Sequence, residues 1–465
     1  MIDSIFRQYD IRGKVGSELN LDEVYDLGCA LAYYFVQKNP KIKTVAIGID
    51  GRVHSQAIKE SLCEAFLTSG INIIFIGICP TPVLYFSLFN FPVDAGVMVT
   101  ASHNTKEYNG FKICLGKESV WGDQIQEIKK LFKKKMALQS DKRGILTCEN
   151  VIKSYIAWMK EHFSYLIGMK LSALVDCGNG AGGTVMPQLI TAMEWSHVDL
   201  LFAEVDGTYP NHEADPIVES NMLELKKAVM TSTACVGIGL DGDCDRMAPM
   251  TKEGELILGD KLLAVFAQSI IADYPNATVV FDTKCSSGLS EVLEQLDANP
   301  IMSPSGHSII KDQMKKNNAI LAGELSCHFF FKDRYFGYDD GIYAMLRLFE
   351  ILIKTGKSLE ELLAFFPKKY ITPELRIACK EADMVKIIED VRSAFAQKPD
   401  IRLMTLDGIR VIMNDGWGMV RPSNTQPVIC LRFESDSPQG LTRIKNEFVE
   451  LLRPYLSIDG LKELQ

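Results

Sequence analysis

Asp241, Asp243 and Asp245 alternate along Gly239-Leu-Asp-Gly-Asp-Cys-Asp-Arg246, so three carboxylates can turn toward one point. Hard oxygen donors of this kind suit Mg2+. An EF-hand calcium loop needs glycine at its sixth position and glutamate at its twelfth; this chain has Arg246 and Lys252 there, so that reading fails. A solvated acidic turn is the other reading, and the apolar run Val236 to Leu240 leading into the loop favours a placed site. A second segment, Thr100-Ala-Ser-His-Asn-Thr-Lys-Glu-Tyr-Asn-Gly-Phe-Lys112, offers the Ser102 hydroxyl flanked by His103, Asn104 and Lys112 where an apolar strand ends. Open α/β sheets bind ligands at the carboxyl ends of their strands. A hydroxyl there is placed for transfer chemistry, although a polar turn with Ser102 as a helix cap would explain the same residues.

Two further loops carry less by themselves. Gly323-Glu-Leu-Ser-Cys-His328 puts a carboxylate (Glu324), a hydroxyl (Ser326) and an imidazole (His328) in one turn, a set suited to sugar hydroxyls or to an ordinary polar turn. Arg421-Pro-Ser-Asn-Thr-Gln-Pro427 gathers a guanidinium, two hydroxyls, an amide and backbone donors between prolines. Such a loop can cradle a phosphate dianion through charge-assisted bonds, or it is a proline-bounded surface turn. Gly178-Asn-Gly-Ala-Gly-Gly183 follows an apolar strand and fits the G-x-G-x-x-G dinucleotide fingerprint, with Glu204 at the expected distance. It lies mid-chain and leaves the other motifs unexplained, so a tight strand-to-helix turn is the preferred reading.

The elements that must position these groups have the rhythm of α/β units. Strands are expected over Thr44–Ile49, Ile71–Ile76, Ala95–Thr100, Leu171–Val175, Val198–Val205, Val236–Leu240 and Ala277–Phe281. Helices are expected over Ser55–Ser69, Val185–Met193, Leu256–Tyr274 and Ser287–Leu296, with Lys129–Lys135 the solvated face of another. There is no exact repeat, yet the serial α/β segments suggest three related domains. Phe366-Pro-Lys-Lys-Tyr370 reads as a linker to a small α+β domain, because proline stops the preceding helix and the lysines favour solvent.

At 465 residues the chain has room for three or four domains. With 47% hydrophobic and 23% charged residues it falls in the globular class. A net charge of −9 argues against nucleic acid as a partner and requires that cations be concentrated locally if the substrate is anionic. Twelve cysteines without a CxxC pair read as reduced thiols and point to the cytoplasm. The start lacks a basic segment followed by an apolar one, so no secretory signal is expected. The apolar stretch Ile71 to Val99 is broken by Pro80, Pro82, Asn90, Pro92 and Asp94, short of the roughly 20 residues a membrane span needs.

Taken in order, Phe6-Arg-Gln-Tyr-Asp-Ile-Arg-Gly13, the serine loop, the aspartate loop, Gly323–His328 with Phe329–Asp340, and the Arg421 loop resemble the α-D-phosphohexomutase superfamily, most closely its bacterial phosphomannomutase/phosphoglucomutase branch. The resemblance spans nearly the whole chain. It implies three related α/β domains and a smaller C-terminal α+β domain around a central cleft. Their expected bounds are 1–150 with the phosphoserine loop, 151–254 with the metal loop, 255–366 with the sugar loop and 367–465 with the phosphate loop. By resemblance, Ser102 carries the phosphoryl group and helps Asp241, Asp243 and Asp245 hold Mg2+. Lys112, Arg246 and His103 would sit at the reacting oxygens, while Tyr9, Arg12, Lys284 and His307 would line the cleft. Glu324, Ser326 and His328 would grip the sugar, and Arg421, Ser423, Asn424 and Thr425 the phosphate that is not reacting.

The implied activity is interconversion of mannose or glucose 1-phosphate and 6-phosphate through phospho-Ser102 and a hexose 1,6-bisphosphate, which also serves as activator. A phosphoglucosamine mutase and an inactive sugar-phosphate-binding relative are the alternatives. The expected partners are small sugar phosphates, with no nucleic acid, no membrane and a monomeric chain. By the same resemblance Cys244 and Cys327 stand where relatives commonly have glycine; Cys327 is bulky enough to narrow the sugar loop, and the sequence leaves the direction of its thiol open.

Overall fold

The computed structural model describes residues 1–422 and 428–456. The chain divides into two compact units, one of Met1–Gly259 with Ser326–Leu362 and one of Asp260–Leu325 with Leu363–Gln465.

The first unit holds two sheets. In the larger, strands run in the order Ile11–Lys14, Tyr108–Leu115, Ala95–Val99, Thr44–Ile49, Asn72–Ile78, Leu146–Cys148, with Glu118–Ser119 beside Tyr108–Leu115. The four from Ala95–Val99 onward are mutually parallel, and Tyr108–Leu115 is antiparallel to both of its long neighbours. Parallel strands need helices on both faces. Val45, Ile47, Ile49, Ile73, Val97 and Val99 join one core with residues of helices Val24–Lys38, Ser55–Thr68 and Asp123–Lys133. On the opposite face Gly96 lies against Leu84 and Leu88 of helix Thr81–Asn90. That helix explains the interrupted apolar stretch: Pro80 precedes it and Pro82 sits in its first turn, where a missing N–H costs nothing.

The second sheet orders Met247–Met250, Val236–Leu240, Ala173–Asp176 and Val198–Leu201, with only the first antiparallel. The last strand is shorter than its apolar run suggests, because Phe202 turns left-handed at φ 48°. Gly178–Gly183 forms the expected turn into helix Met186–Ala192. Helix Gly341–Thr355 begins against the aspartate loop, where a Cβ on Gly341 would lie 2.5 Å from the Arg246 carbonyl.

In the second unit, strands Asn299–Ser303, Thr278–Asp282 and Leu321–Gly323 are parallel, accompanied by helices Gly259–Ile271, Ser287–Gln295 and His307–Lys316. The first of these helices starts later than its apolar pattern predicts, since Ile257 N is bonded to Pro249 O. An antiparallel sheet of Tyr370–Ile371, Leu375–Ala378, Arg402–Met404, Ile409–Met413, Gly416–Pro422 and Val428–Ser435 packs with helices Glu381–Phe395 and Pro438–Leu452 around Ile387, Phe395, Phe433 and Phe448. Among the described residues no helix is long and apolar enough to cross a membrane.

Candidate active site

Strand Ala95–Val99 ends just before Ser102, and strand Val236–Leu240 ends just before Asp241, so both loops leave the carboxyl ends of buried strands. Their backbones touch: a Cβ on Gly242 would lie 2.5 Å from the Ser102 carbonyl. Only glycine fits there. Ser102 is left-handed at φ 51° and buried, and its Oγ donates to Asp241 Oδ2 over 2.8 Å and lies 3.1 Å from His103 Nδ1.

Oxygens of Asp241, Asp243 and Asp245 lie within 4.8 Å of one another, and all three side chains are fully buried. Lys112 Nζ donates to Asp243 Oδ2 over 2.6 Å and to Asp245, and Thr81 also bonds Asp243. Arg246 N donates to Asp241 Oδ1 over 3.1 Å, while its guanidinium faces Asp215, Asp241 and His328. His328 Nε2 is 3.3 Å from Asp245 Oδ1 and 4.0 Å from Asp339, and its Nδ1 is 3.2 Å from Ser326 Oγ.

Four buried carboxylates thus meet two cations, Lys112 and Arg246, and burying unbalanced charge is costly. Burial first, then Asp245 and Asp243, pushes the Asp241 carboxyl well above its ordinary range. Among the described residues, buried Asp243 Oδ1 has no hydrogen-bond donor. A divalent cation ligated by oxygen would supply both the missing charge and that missing partner, so the residues fit a metal site. Burial lowers Lys112, but Asp243, Asp245 and Asp339 outweigh it and hold the ammonium above the ordinary lysine value. Burial takes His328 down to about 4 against Asp245, and burial with Arg246 and Arg12 takes His103 well below its usual value. Both imidazoles are therefore neutral near pH 7.

The second unit gathers its own polar group. Lys284 Nζ lies 3.4 Å from Asp282 and 3.6 Å from Glu374, and Asp282 also accepts from Ser305 Oγ at 2.9 Å. Asp407 accepts from Ser305 N at 3.1 Å and forms an ion pair with Arg421, whose Nε lies 3.1 Å away. Glu324 accepts from Gly306 N at 2.7 Å, beside buried His307 at the start of its helix.

Four stretches match the phosphoglucomutase/phosphomannomutase family in chain order: its alpha/beta/alpha domain I over residues 3–139, domain II over 153–254, domain III over 258–370 and the C-terminal domain over 374–451. The chain belongs to this family. It is similar to a phosphomannomutase/phosphoglucomutase of Pseudomonas syringae pv. tomato, 39% identical over 446 residues that cover 96% of this chain and 94% of the relative. A phosphoglucomutase of Neisseria meningitidis serogroup A is 38% identical over 445 residues, covering 96% of this chain and 95% of the other. The crystal structure of a phosphoglucomutase/phosphomannomutase family protein from Burkholderia thailandensis superposes with a TM-score of 0.88 at 33% identity, over 98% of each chain.

Of the residues the sequence singled out in this mutase, the first unit brings together Ser102, His103, Lys112, Asp241, Asp243, Asp245, Arg246, Ser326 and His328. Arg12 joins them by donating to Ala101 O and Asn104 Oδ1, and Tyr9, partly exposed, directly precedes Asp10, the carboxylate paired with Arg12. Lys284, His307, Glu324 and Arg421 lie in the second unit. Ser423, Asn424 and Thr425 lie outside the described residues.

The direction of the Cys327 thiol, open in the sequence, is inward: it is fully buried with Sγ against Ile257 O at 3.9 Å. Cys244 likewise points inward at Asp241 O. Cys244 at φ 59° and Cys327 at φ 68° are left-handed, a conformation that suits glycine and strains other residues.

Sequence reasoning missed Arg52. Its buried guanidinium donates to the carbonyls of Ser102, Asn104, Thr105 and Tyr108, and Asp50 pairs with it at 3.1 Å. The only sequence signal was a charged Asp50-Gly-Arg52 turn directly after a fully apolar strand.

Proposed function

We propose that this chain interconverts the 1- and 6-phosphates of mannose and glucose through phosphorylated Ser102 and a hexose 1,6-bisphosphate. The observation that carries the reading is the Ser102 hydroxyl set 2.8 Å from Asp241 inside a buried aspartate triad, with Lys112 and Arg246 alongside. Relatives named phosphomannomutase/phosphoglucomutase at 39% identity support the substrate class.

In the proposed reaction the bond from phosphorus to Ser102 Oγ breaks and one to the sugar 6-oxygen forms, while the Lys112 ammonium gives a proton to Ser102 Oγ and takes up the 6-hydroxyl proton. The bisphosphate turns, its 1-phosphoryl group passes to Ser102, and the Ser102 hydroxyl proton is relayed through Lys112 to the 1-oxygen. Arg246 carries charge developing on the phosphoryl oxygens. Lys112, held as the ammonium, donates to whichever oxygen is leaving. Asp241, Asp243, Asp245 and Ser102 would hold Mg2+, which supplies further charge stabilisation when bound. Glu324, Ser326 and His328 hold the sugar, Tyr9, Arg12, Lys284 and His307 line its path, and Arg421 with Ser423, Asn424 and Thr425 holds the idle phosphate.

The four-part division 1–150, 151–254, 255–366 and 367–465 remains part of this proposal, supported by the four family matches. So do a monomeric state, a bisphosphate activator and a cytoplasmic location, the last supported by twelve free cysteines. The test is turnover of glucose, mannose and glucosamine 1-phosphates with Mg2+ and bisphosphate, together with mass spectrometry of the labelled peptide. Phosphate on Ser102, and glucose and mannose rates within roughly 200-fold of each other, are expected, because the proposed sugar contacts do not read the 2-hydroxyl. Undiminished turnover in Ser102→Ala, or conversion of the glucosamine substrate alone, would overturn it.

A further inference from the structure

Residues 206–215, Asp-Gly-Thr-Tyr-Pro-Asn-His-Glu-Ala-Asp, form a loop that none of the roles above employs. It lies wholly within the first unit and touches four parts of the site. Gly207 rests on the turn that carries Arg52, where a Cβ would come within 2.3 Å of the Gly51 carbonyl. The Tyr209 ring then covers the Arg52 guanidinium at 5.2 Å. Ala214 O accepts from Gly242 N of the aspartate loop at 3.2 Å, and Asp215 Oδ1 lies 3.7 Å from Arg246 Nη1. Asp206 N and Asn211 Nδ2 bond the backbone and side chain of Asn179 in the glycine turn.

What fixes the middle of this loop is His212. Its Nδ1 faces Glu213 O at 2.9 Å and its Nε2 faces Asp176 Oδ2 at 3.1 Å, at the end of strand Ala173–Asp176. Both partners accept hydrogen bonds, and only the imidazolium can donate to both at once. The ring stands edge-on to Phe202, 5.4 Å away, and Gly178 leaves it room.

We propose that His212, anchored by Asp176, is a positioning residue for phosphoryl transfer: it holds the 206–215 loop so that the serine loop, the aspartate loop and Arg246 stay in register. This rests on the mutase reading above. His212 touches no reacting atom; it acts through Ala214 on Gly242 and through Asp215 on Arg246. The charged groups facing it are the Asp176 carboxylate and Glu213 of its own loop. Burial lowers its pKa, but Asp176 and the Glu213 carbonyl outweigh burial and raise it. The clamp is therefore complete at low pH and loses one bond as pH rises through that raised value.

The experiment compares wild type with His212→Gln and Asp215→Asn, reading kcat, KM, thermal unfolding and the pH profile of kcat. A fall in kcat of on the order of 10- to 100-fold is expected in both, as for other residues that orient a catalytic shell, with KM within about threefold. An alkaline decline of kcat is expected in wild type, and in His212→Gln it should flatten. If His212→Gln does not fold, Asp215→Asn decides, since it leaves the His212 pair intact. Wild-type kcat in Asp215→Asn, or in a folded His212→Gln with an unchanged pH profile, overturns the inference. An inactive wild type overturns the mutase reading with it, whereas active wild type beside unaltered variants removes this inference alone.

Discussion

Arg52 Nη2 donates to the carbonyl of Ser102 over 2.7 Å, and the same guanidinium gathers three more carbonyls of the serine loop. A buried arginine (2% exposed) thus braces the backbone that carries Ser102 in its left-handed conformation.

Arg52→Lys should keep the charge near Asp50 and lose the fork that spans four acceptors. Displacing a reacting atom by about 1 Å can cost roughly 100-fold. The expected result is a fall in kcat of that order with KM little changed, read in steady-state assays beside a melting curve. Normal kcat in the lysine variant would show that the clamp does not position Ser102.

Asp243→Asn leaves the Thr81 and Lys112 contacts a partner of the same shape but removes an anionic oxygen, Oδ1, that has no hydrogen bond in the buried triad. Half-saturation by Mg2+ should rise by more than roughly tenfold and turnover at saturating metal should fall. Titrating activity against Mg2+ measures both. An unchanged curve would reduce the aspartates to a turn.

Arg421→Ala removes a guanidinium paired with Asp407. Losing a charge-assisted grip worth about 1.5–3 kcal/mol should raise KM by roughly 10- to 150-fold. A smaller drop in kcat would follow if the grip aligns the sugar. Wild-type constants in the variant would remove Arg421 from the substrate site.

Glu374 supplies a pH test of the second unit. Burial raises its pKa, but Lys284, then Arg376 and Arg421, outweigh it and bring it to about 2, below the usual 4.5. A depressed carboxylate contributes stability that is present above its unfolded value and lost as pH falls through its folded one. The contribution is about 3 kcal/mol by linkage and is lost between about pH 4.5 and pH 2. Denaturant unfolding of wild type and Glu374→Gln across this window should show the two stabilities converging toward pH 2. A gap that stays constant would contradict the linkage.

The chemistry was legible in the sequence wherever residues that act together are near in the chain. Asp241, Asp243 and Asp245 alternate within five residues, and Ser102 follows a strand whose continuous burial is written in Ala95–Val99. Spacing of two in a loop, and an apolar run before it, are local facts, so the aspartate triad and Ser102 were singled out without coordinates. The turn at Gly178–Gly183 was likewise legible, because glycines directly after an apolar run mark a tight passage from strand to helix.

Tertiary structure alone decided which distant groups meet. Lys112 joins Asp243 and Asp245 across more than a hundred residues, His328 is delivered beside Asp245, and Arg52 reaches back to Ser102. No local pattern marks such pairs, because a buried arginine and an exposed one look alike in sequence. Their partners are fixed only when strands align in register and bring separate loops to one end of a sheet. The direction of the Cys327 thiol belongs to the same class: the chain determined its size, and packing against Ile257 determined where it points.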